Sequence, residues 1–301
     1  MQDDQTCMFC ETSNLKPSRF RRPIKWETHI FNFLICKKCR GYSLYPKLTD
    51  SQLKLLYSAD YSDHNASPKS SYQDYLTNHG YRYSMDYLEL NLNSLSQICD
   101  FGCGLDRTIS KLAAKIGAKY IEIEYDESTV SNLAKSCAKN TYMTTSQFER
   151  SEEKFDYIFI GDVLEHVGSP SELLRLVSKK IKAGGKIVIQ GPLENANTVL
   201  HWLVKLKSLA VNKRVVFQHP YHVSLASKTS MLRLFQQNNF EVLQLKTYEV
   251  PWPVIMDVNK RSATRWNPIC IAKYLDLKIN RFLPSTGNRF LAVLKLRNLN
   301  D

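Results

Sequence analysis

The chain is predicted to fold as a doubly wound α/β domain, a mostly parallel sheet of seven strands covered by helices on both faces, with a small cysteine-rich segment ahead of it. Three observations predict this. From Ser96 onward short apolar runs alternate with amphipathic stretches, and strands joined through helices of about ten to fifteen residues make right-handed crossovers and a parallel sheet. A glycine turn, Gly102-Cys103-Gly104, stands directly between the first of those strands and the helix after it. Two pairs of cysteines fall within the first 40 residues.

Residues 1–47 form the first unit. Cys7-Met8-Phe9-Cys10 and Cys36-Lys37-Lys38-Cys39 are two knuckles with 25 residues between them. Thiolates two residues apart in a tight turn bind a metal from one side, and a second such pair completes a tetrahedron, so Cys7, Cys10, Cys36 and Cys39 are the expected ligands of a structural Zn2+ in a zinc ribbon. A redox dithiol or two disulfides are the competing readings, disfavoured by the doubled motif and a reducing compartment. Residues 29–35 read as a strand feeding the second knuckle. Glu11 and Arg40 follow the knuckles, where glycine is usual.

Residues 48–95 read as a helical linker or lid. Leu53, Leu55 and Leu56 follow Thr49 or Ser51 as N-cap, residues 58–69 are a polar linker, and Tyr75, Tyr83 and Tyr87 recur at helical spacing. Residues 96–301 make the large domain. Its strands are 97–101, 119–124, a short one near Tyr142, 157–162 and 186–192, with helices over 107–116, 127–138 and 171–181 between them. Gly184-Gly185 reads as a helix-to-strand stop. Insertions at about 193–227 and 251–285 flank a helix near 228–238 and a strand over 240–250, and residues 288–296 close the sheet as an antiparallel edge strand.

The 301 residues are 43% apolar and 23% charged, with mean hydropathy −0.34. That composition supports a sizeable core and excludes a collagenous, mainly disordered or integral membrane chain. The formal charge is +12, of which residues 201–301, with 16 Lys or Arg against 5 Asp or Glu, carry +11. Such a surface suits nucleic acid, anionic lipid or a phosphorylated small molecule, and equally a merely solvated face. The first residues, MQDDQTCMFCETSN, have neither a basic nor an apolar leader region, so a cytoplasmic location is expected.

The residues with the clearest chemistry are Asp100, Gly102 and Gly104. Glycines at a strand-to-helix turn let the backbone approach a ligand, and the following helix offers free N–H groups and a positive dipole end. Glu124, twenty residues on at the end of the next strand, is placed to accept both hydroxyl hydrogens of a ribose, with Glu122 and Asp126 as rivals. Asp106 and Arg107 stand where a dinucleotide fingerprint wants further glycine, which weakens a nicotinamide reading.

Four ordered segments, ICDFGCG, GAKYIEIEYD, FDYIFIGDVLEHV and LVSKKIKAGGKIVIQGP, together resemble the class I S-adenosylmethionine-dependent methyltransferases over residues 97–192. The resemblance implies a Rossmann-like sheet and S-adenosylmethionine as cofactor. It implies that Asp100, Gly102 and Gly104 contact the methionine part, that Glu124 holds the ribose, and that Gln147 and Phe148 flank the adenine. Asp162, Glu165 and His166 would shape the cofactor pocket. If the acceptor is a hydroxyl or a carbon acid, a base must take its proton, and His219 and His222 are the candidates, although a histidine beside Pro220 also serves simply to brace the loop.

A double knuckle ahead of such a core resembles the methyltransferases of bacterial sugar and surface-polysaccharide biosynthesis. That implies a small acceptor, a nucleotide-linked sugar or polysaccharide precursor whose phosphates would suit the basic C-terminal third. The alternative is an RNA methyltransferase gripping the backbone with the ribbon and the basic surface. A non-catalytic binding protein is the third reading. The amphipath at 198–211 either packs on the sheet or makes peripheral contact with an anionic membrane.

Overall fold

The structure, a computed structural model, describes residues 5–57, 80–104, 108–125, 127–136, 141–210, 214–251 and 268–297. The N-terminal part begins with β1 (Leu15–Pro17), β2 (Ile24–Trp26), β3 (His29–Cys36) and β4 (Tyr42–Tyr45). Helix α1 (Asp50–Leu56) starts where Thr49 and Gln52 cap each other's backbone N–H groups, a capping box. Helix α2 (Arg82–Asn91) buries Ser84, Met85 and Leu88 against the large domain.

The large domain then runs β5 (Gln97–Phe101), α3 (Thr108–Ile116), β6 (Lys119–Glu124), α4 (Glu127–Ser136), β7 (Thr141–Thr144), α5 (Thr145–Arg150), β8 (Phe155–Gly161), α6 (Pro170–Ser178) and β9 (Ile181–Pro192). It continues with α7 (Val199–Ala210), β10 (Val216–Phe217), β11 (Ser224–Leu225), α8 (Lys228–Gln237), β12 (Phe240–Tyr248), α9 (Pro268–Phe282) and β13 (Arg289–Leu296). The seven-stranded sheet has the order β12-β13-β9-β8-β5-β6-β7. Its central pairs are parallel and both β13 pairs antiparallel, so the doubly wound class I architecture stands. The order reverses between β5 and β8, and the crevice at their carboxyl ends is where such sheets bind ligands.

Two details depart from the sequence reading. Strand β13 is not the edge: it lies between β9 and β12, because its residues are nearly all buried while β12 exposes Glu241, Leu243 and Gln244. Gly184 and Gly185 do not stop a helix, since α6 already ends at Ser178. They sit inside β9 at a register shift, where a Cβ on Gly185 would lie 3.0 Å from the carbonyl oxygens of Phe155 and Asp156. The 251–285 insertion contains α9, and α7 packs with that helix. The polar linker at 58–69 and Tyr75 lie outside the described residues.

The N-terminal strands form a second sheet, β10-β2-β3-β4-β11, with β1 beside β3. Its two edges come from residues 216–225, deep in the large domain's sequence. The knuckle residues Cys7, Phe9, Cys10, Cys36 and Cys39 share one buried cluster with Met231, Leu234 and Phe235 of α8 and with Ile187 and Phe290 of the main sheet. Gly41 is required there, because a Cβ would stand 2.4 Å from the Phe9 ring. The ribbon and the parallel sheet therefore share a core.

Candidate functional site

The four N-terminal cysteines are brought together. All are buried and unbridged, and each offers a sulfur within 4.8 Å of the others. Cys7 Sγ is 3.5 Å from Cys39 Sγ, and Cys10 Sγ is 3.6 Å from Cys36 Sγ, close to the edge of about 3.8 Å of a tetrahedron with Zn–S bonds of about 2.3 Å. The donor set fits Zn2+. In both knuckles the residue after the second cysteine donates its N–H to the carbonyl of the first, Glu11 to Cys7 at 2.9 Å and Arg40 to Cys36 at 3.0 Å. Both adopt the left-handed conformation, with φ of 53° and 66°, which is why glycine is usual at this place.

At the carboxyl ends of β5 and β8 lies a cavity of about 1040 Å3, lined by Asp100, Gly102, Gly104, Glu124, Asp162 and His166 among others. That is at the top of the range for small-molecule sites, about 300–1,000 Å3. Gly102 has φ of 76°, and a Cβ there would strike Val163 Cγ2 at 2.4 Å. Gly104 has φ of 52°, and its Cβ would meet nothing among the described residues within 4 Å, so it would project into the open space that a ligand needs. The N–H of Gly104 donates to Glu124 Oε2 at 3.0 Å, and that of Tyr125 to Oε1 at 2.8 Å. A carboxylate held rigidly beside a bare glycine turn fits the ribose and methionine parts of S-adenosylmethionine. Glu122 is buried and does not line the cavity, while Asp106, Arg107 and Asp126 lie outside the described residues.

The adenine expectation is corrected. The Gln147 side chain accepts the Thr144 N–H at 2.8 Å as half of a capping box. Phe148 is wholly buried between Phe101 and Phe155. Neither faces the cavity, whose wall here comes from Thr145 and Glu149. The helix-capping and core-packing roles took both side chains.

Asp162, at the end of β8, is also left-handed, with φ of 54°. Arg289 of β13 holds it there, donating from Nη2 to Oδ1 at 2.5 Å and to Oδ2 at 2.7 Å. His166 lines the cavity, its Nδ1 at 3.0 Å from the Tyr57 hydroxyl and 2.9 Å from the Tyr221 carbonyl oxygen. Burial, then the neighbouring His222, pulls His166 down to about 4. Glu165 lies behind the wall, buried, and burial followed by Asp162 pushes it up to about 8.

His222 stacks edge-to-face on His166 at 4.9 Å, and its Nδ1 is 3.1 Å from Glu194 Oε2. Burial opposes a charge on His222, but Glu194 outweighs it and the imidazole is pushed up to about 9. The converse holds for Glu194: burial would raise it, and His222 keeps it below the usual carboxylate value. His219 is not part of this group. Its ring is exposed, stacked on Tyr221 at 5.3 Å and tilted against Trp26 at 6.2 Å.

Around Glu194 and Asn195 several cations converge. Arg21 Nη2 donates to the Glu194 carbonyl oxygen at 2.8 Å, Lys205 Nζ to Asn195 Oδ1 at 3.2 Å, and Asn195 Nδ2 to the Arg40 carbonyl oxygen at 2.6 Å. Burial, then Arg40 and Arg21, lowers Lys205, and burial, then Lys205 and Arg21, pulls His201 down to about 4. Sequence reasoning missed Glu194, Arg289, Tyr57 and this cluster. Glu194 had a signal, since it stands just past the end of β9; Arg289 had none, its partner being 127 residues away.

A family model described as a methyltransferase domain matches residues 73–245. The ubiquinone biosynthesis O-methyltransferase of Coxiella burnetii is 24% identical over 162 residues, 50% of this chain and 68% of that protein. Among solved structures, a chain of the complex between the Haloferax volcanii Trm112 methyltransferase activator and a methyltransferase superposes with a TM-score of 0.54 at 10% identity, covering 83% of this chain and 100% of the other. A SAM-dependent methyltransferase from Archaeoglobus fulgidus gives 0.49 at 17% identity, covering 78% and 99%. The match over residues 73–245 takes in more than half of the chain, so the chain belongs to the methyltransferase-domain family and is a methyltransferase.

Proposed function

We propose that the chain methylates a small, phosphate-bearing acceptor, a nucleotide-linked sugar or surface-polysaccharide precursor, with Asp100, Gly102, Gly104 and Glu124 holding the donor and His222 taking the acceptor's proton. Bound S-adenosylmethionine supplies a methyl group on a sulfonium, and positive charge disappears as it is transferred. Catalysis of such a displacement rests on alignment and exclusion of water. The turn at 102–104 leaves room for the donor, and Glu124 accepts from its sugar hydroxyls. Asp162, clamped by Arg289, shapes the wall together with His166 and the buried Glu165. Glu194 orients His222 and stabilises its charged form, as a carboxylate behind a catalytic imidazole does. Zn2+ on Cys7, Cys10, Cys36 and Cys39 has a structural role.

The observation that carries the phosphate-bearing acceptor is the crowding of Arg21, Arg40, His201 and Lys205 beside the Glu194–His222 pair. Burial and the neighbouring Arg40 and Arg21 oppose the charged form of Lys205, an opposition that an anion relieves, and guanidinium and ammonium groups are the usual donors to phosphate oxygens. The test offers labelled S-adenosylmethionine with nucleotide-sugar pools and with RNA in parallel. Label is expected in the nucleotide-sugar fraction, lost in His222→Ala and retained in His219→Ala. Label in RNA alone would overturn the acceptor, and an unchanged rate in His222→Ala would overturn the base.

A further inference from the structure

The two helices α7 and α9 are turned inside out. On α7 the polar residues His201, Lys205 and Ser208 face the protein, while Trp202, Leu206 and Leu209 are 55%, 60% and 61% exposed. Those three recur at i, i+4 and i+7, one stripe of a helix. On α9 the inward side carries Lys273, ion-paired with Glu249, each side chain being 1% exposed. It also carries Asp276, which accepts the first N–H groups of α7, from Val199 at 2.5 Å and Leu200 at 3.0 Å. The outward side of α9 carries Ile271, Leu275 and, at 83% exposed, Phe282.

A helix pair that buries its charges and exposes its apolar stripes is suited to contact with an apolar phase. The charges left outside say which one. Lys207, Lys278 and Arg281 are exposed, and among the described residues of the two helices no carboxylate is, Asp276 being buried. We propose that α7 and α9 form a docking face that lies on an anionic lipid bilayer, the apolar stripes entering the headgroup boundary and the three cations meeting lipid phosphates. Trp202 suits the interface, with Lys205 Nζ 4.7 Å from the centre of its ring. Neither helix spans the bilayer: they have 12 and 15 residues, against the ~20 needed, and no described helix is long and apolar enough to cross a membrane. Pairing of this face with itself in a symmetric dimer would set like charges together.

The test centrifuges the full chain with vesicles of phosphatidylcholine alone and with about one third phosphatidylglycerol added. The protein is expected to pellet with the anionic vesicles, to stay in solution with the neutral ones, and to be released as salt is raised. Leu206→Asp with Leu209→Asp, and separately Lys207→Glu with Arg281→Glu, should each lower retention at least tenfold while S-adenosylmethionine binding by calorimetry is kept. Failure of the wild-type protein to pellet with anionic vesicles at low salt would overturn the proposal, whatever the variants do. So would equal retention in variants that still bind the donor, or a dimer broken by Leu206→Asp in a protein that ignores vesicles. No enzymatic turnover enters the readout, so failure of the acceptor assignment is a separate result.

Discussion

Two carboxylates near the cavity have opposite fates because of their neighbours. Glu124 accepts two backbone N–H groups at the cavity wall, whereas Glu194 is paired with an imidazole and flanked by cations. For Glu124→Ala, loss of two hydrogen bonds to a charged group, about 1.5–3 kcal/mol each, predicts donor affinity weaker by roughly a hundredfold to ten-thousandfold; calorimetry showing unchanged affinity would remove the ribose role. His222 acts as a base only when unprotonated, and its value is raised to about 9. The kcat/KM profile should therefore climb about tenfold per pH unit from neutral pH and level off near 9. In Glu194→Gln the raising partner is gone while burial still opposes the charge, so the rising limb should move to the acid side. A limb that stays in place would separate Glu194 from the base.

The glycine turn between β5 and α3 separates a structural from a ligand-directed requirement. Gly102→Ala adds left-handed strain of about 1–2 kcal/mol to a collision with Val163, and overpacking costs about 1–3 kcal/mol. A fall in the unfolding midpoint is expected together with loss of donor binding. Gly104→Ala meets no atom of the described residues, so it carries the strain alone, and its main effect should be on donor affinity. Equal stability losses in the two variants would refute this division. The contiguous strand, turn and helix were readable because one short segment contains the whole device. The place of β13 was not, because an apolar run of that kind is compatible with an edge or an interior strand until its neighbours are known.

Considered as a whole, the molecule ties its ribbon to its sheet. The ribbon's outer strands, β10 and β11, come from residues flanking His222, and its cysteines sit in the cluster that holds α8 against the sheet. Binding of structural zinc contributes apparent free energies of about 10–16 kcal/mol in small peptides. Removing zinc with a chelator, or replacing Cys36 with Ser, should thus lower the midpoint of the entire chain by roughly ten degrees or more, in one transition. Scanning calorimetry with metal analysis checks this. Two transitions, only the smaller responding to chelator, would show an independent ribbon.

From the amino-acid order alone one can read the strand–helix alternation, the turn at 102–104, the acid at Glu124 and the four cysteines, since each signal is local: a few adjacent residues define the geometry that the chemistry needs. Folding in three dimensions settled the rest. It paired Glu194 with His222 and Arg289 with Asp162, took Gln147 and Phe148 for a cap and a core, left His219 outside, and turned the apolar stripes of α7 and α9 outward. These outcomes depend on which surfaces meet across long separations in the chain, and periodicity reports that a helix has two faces without saying which one the rest of the protein will cover.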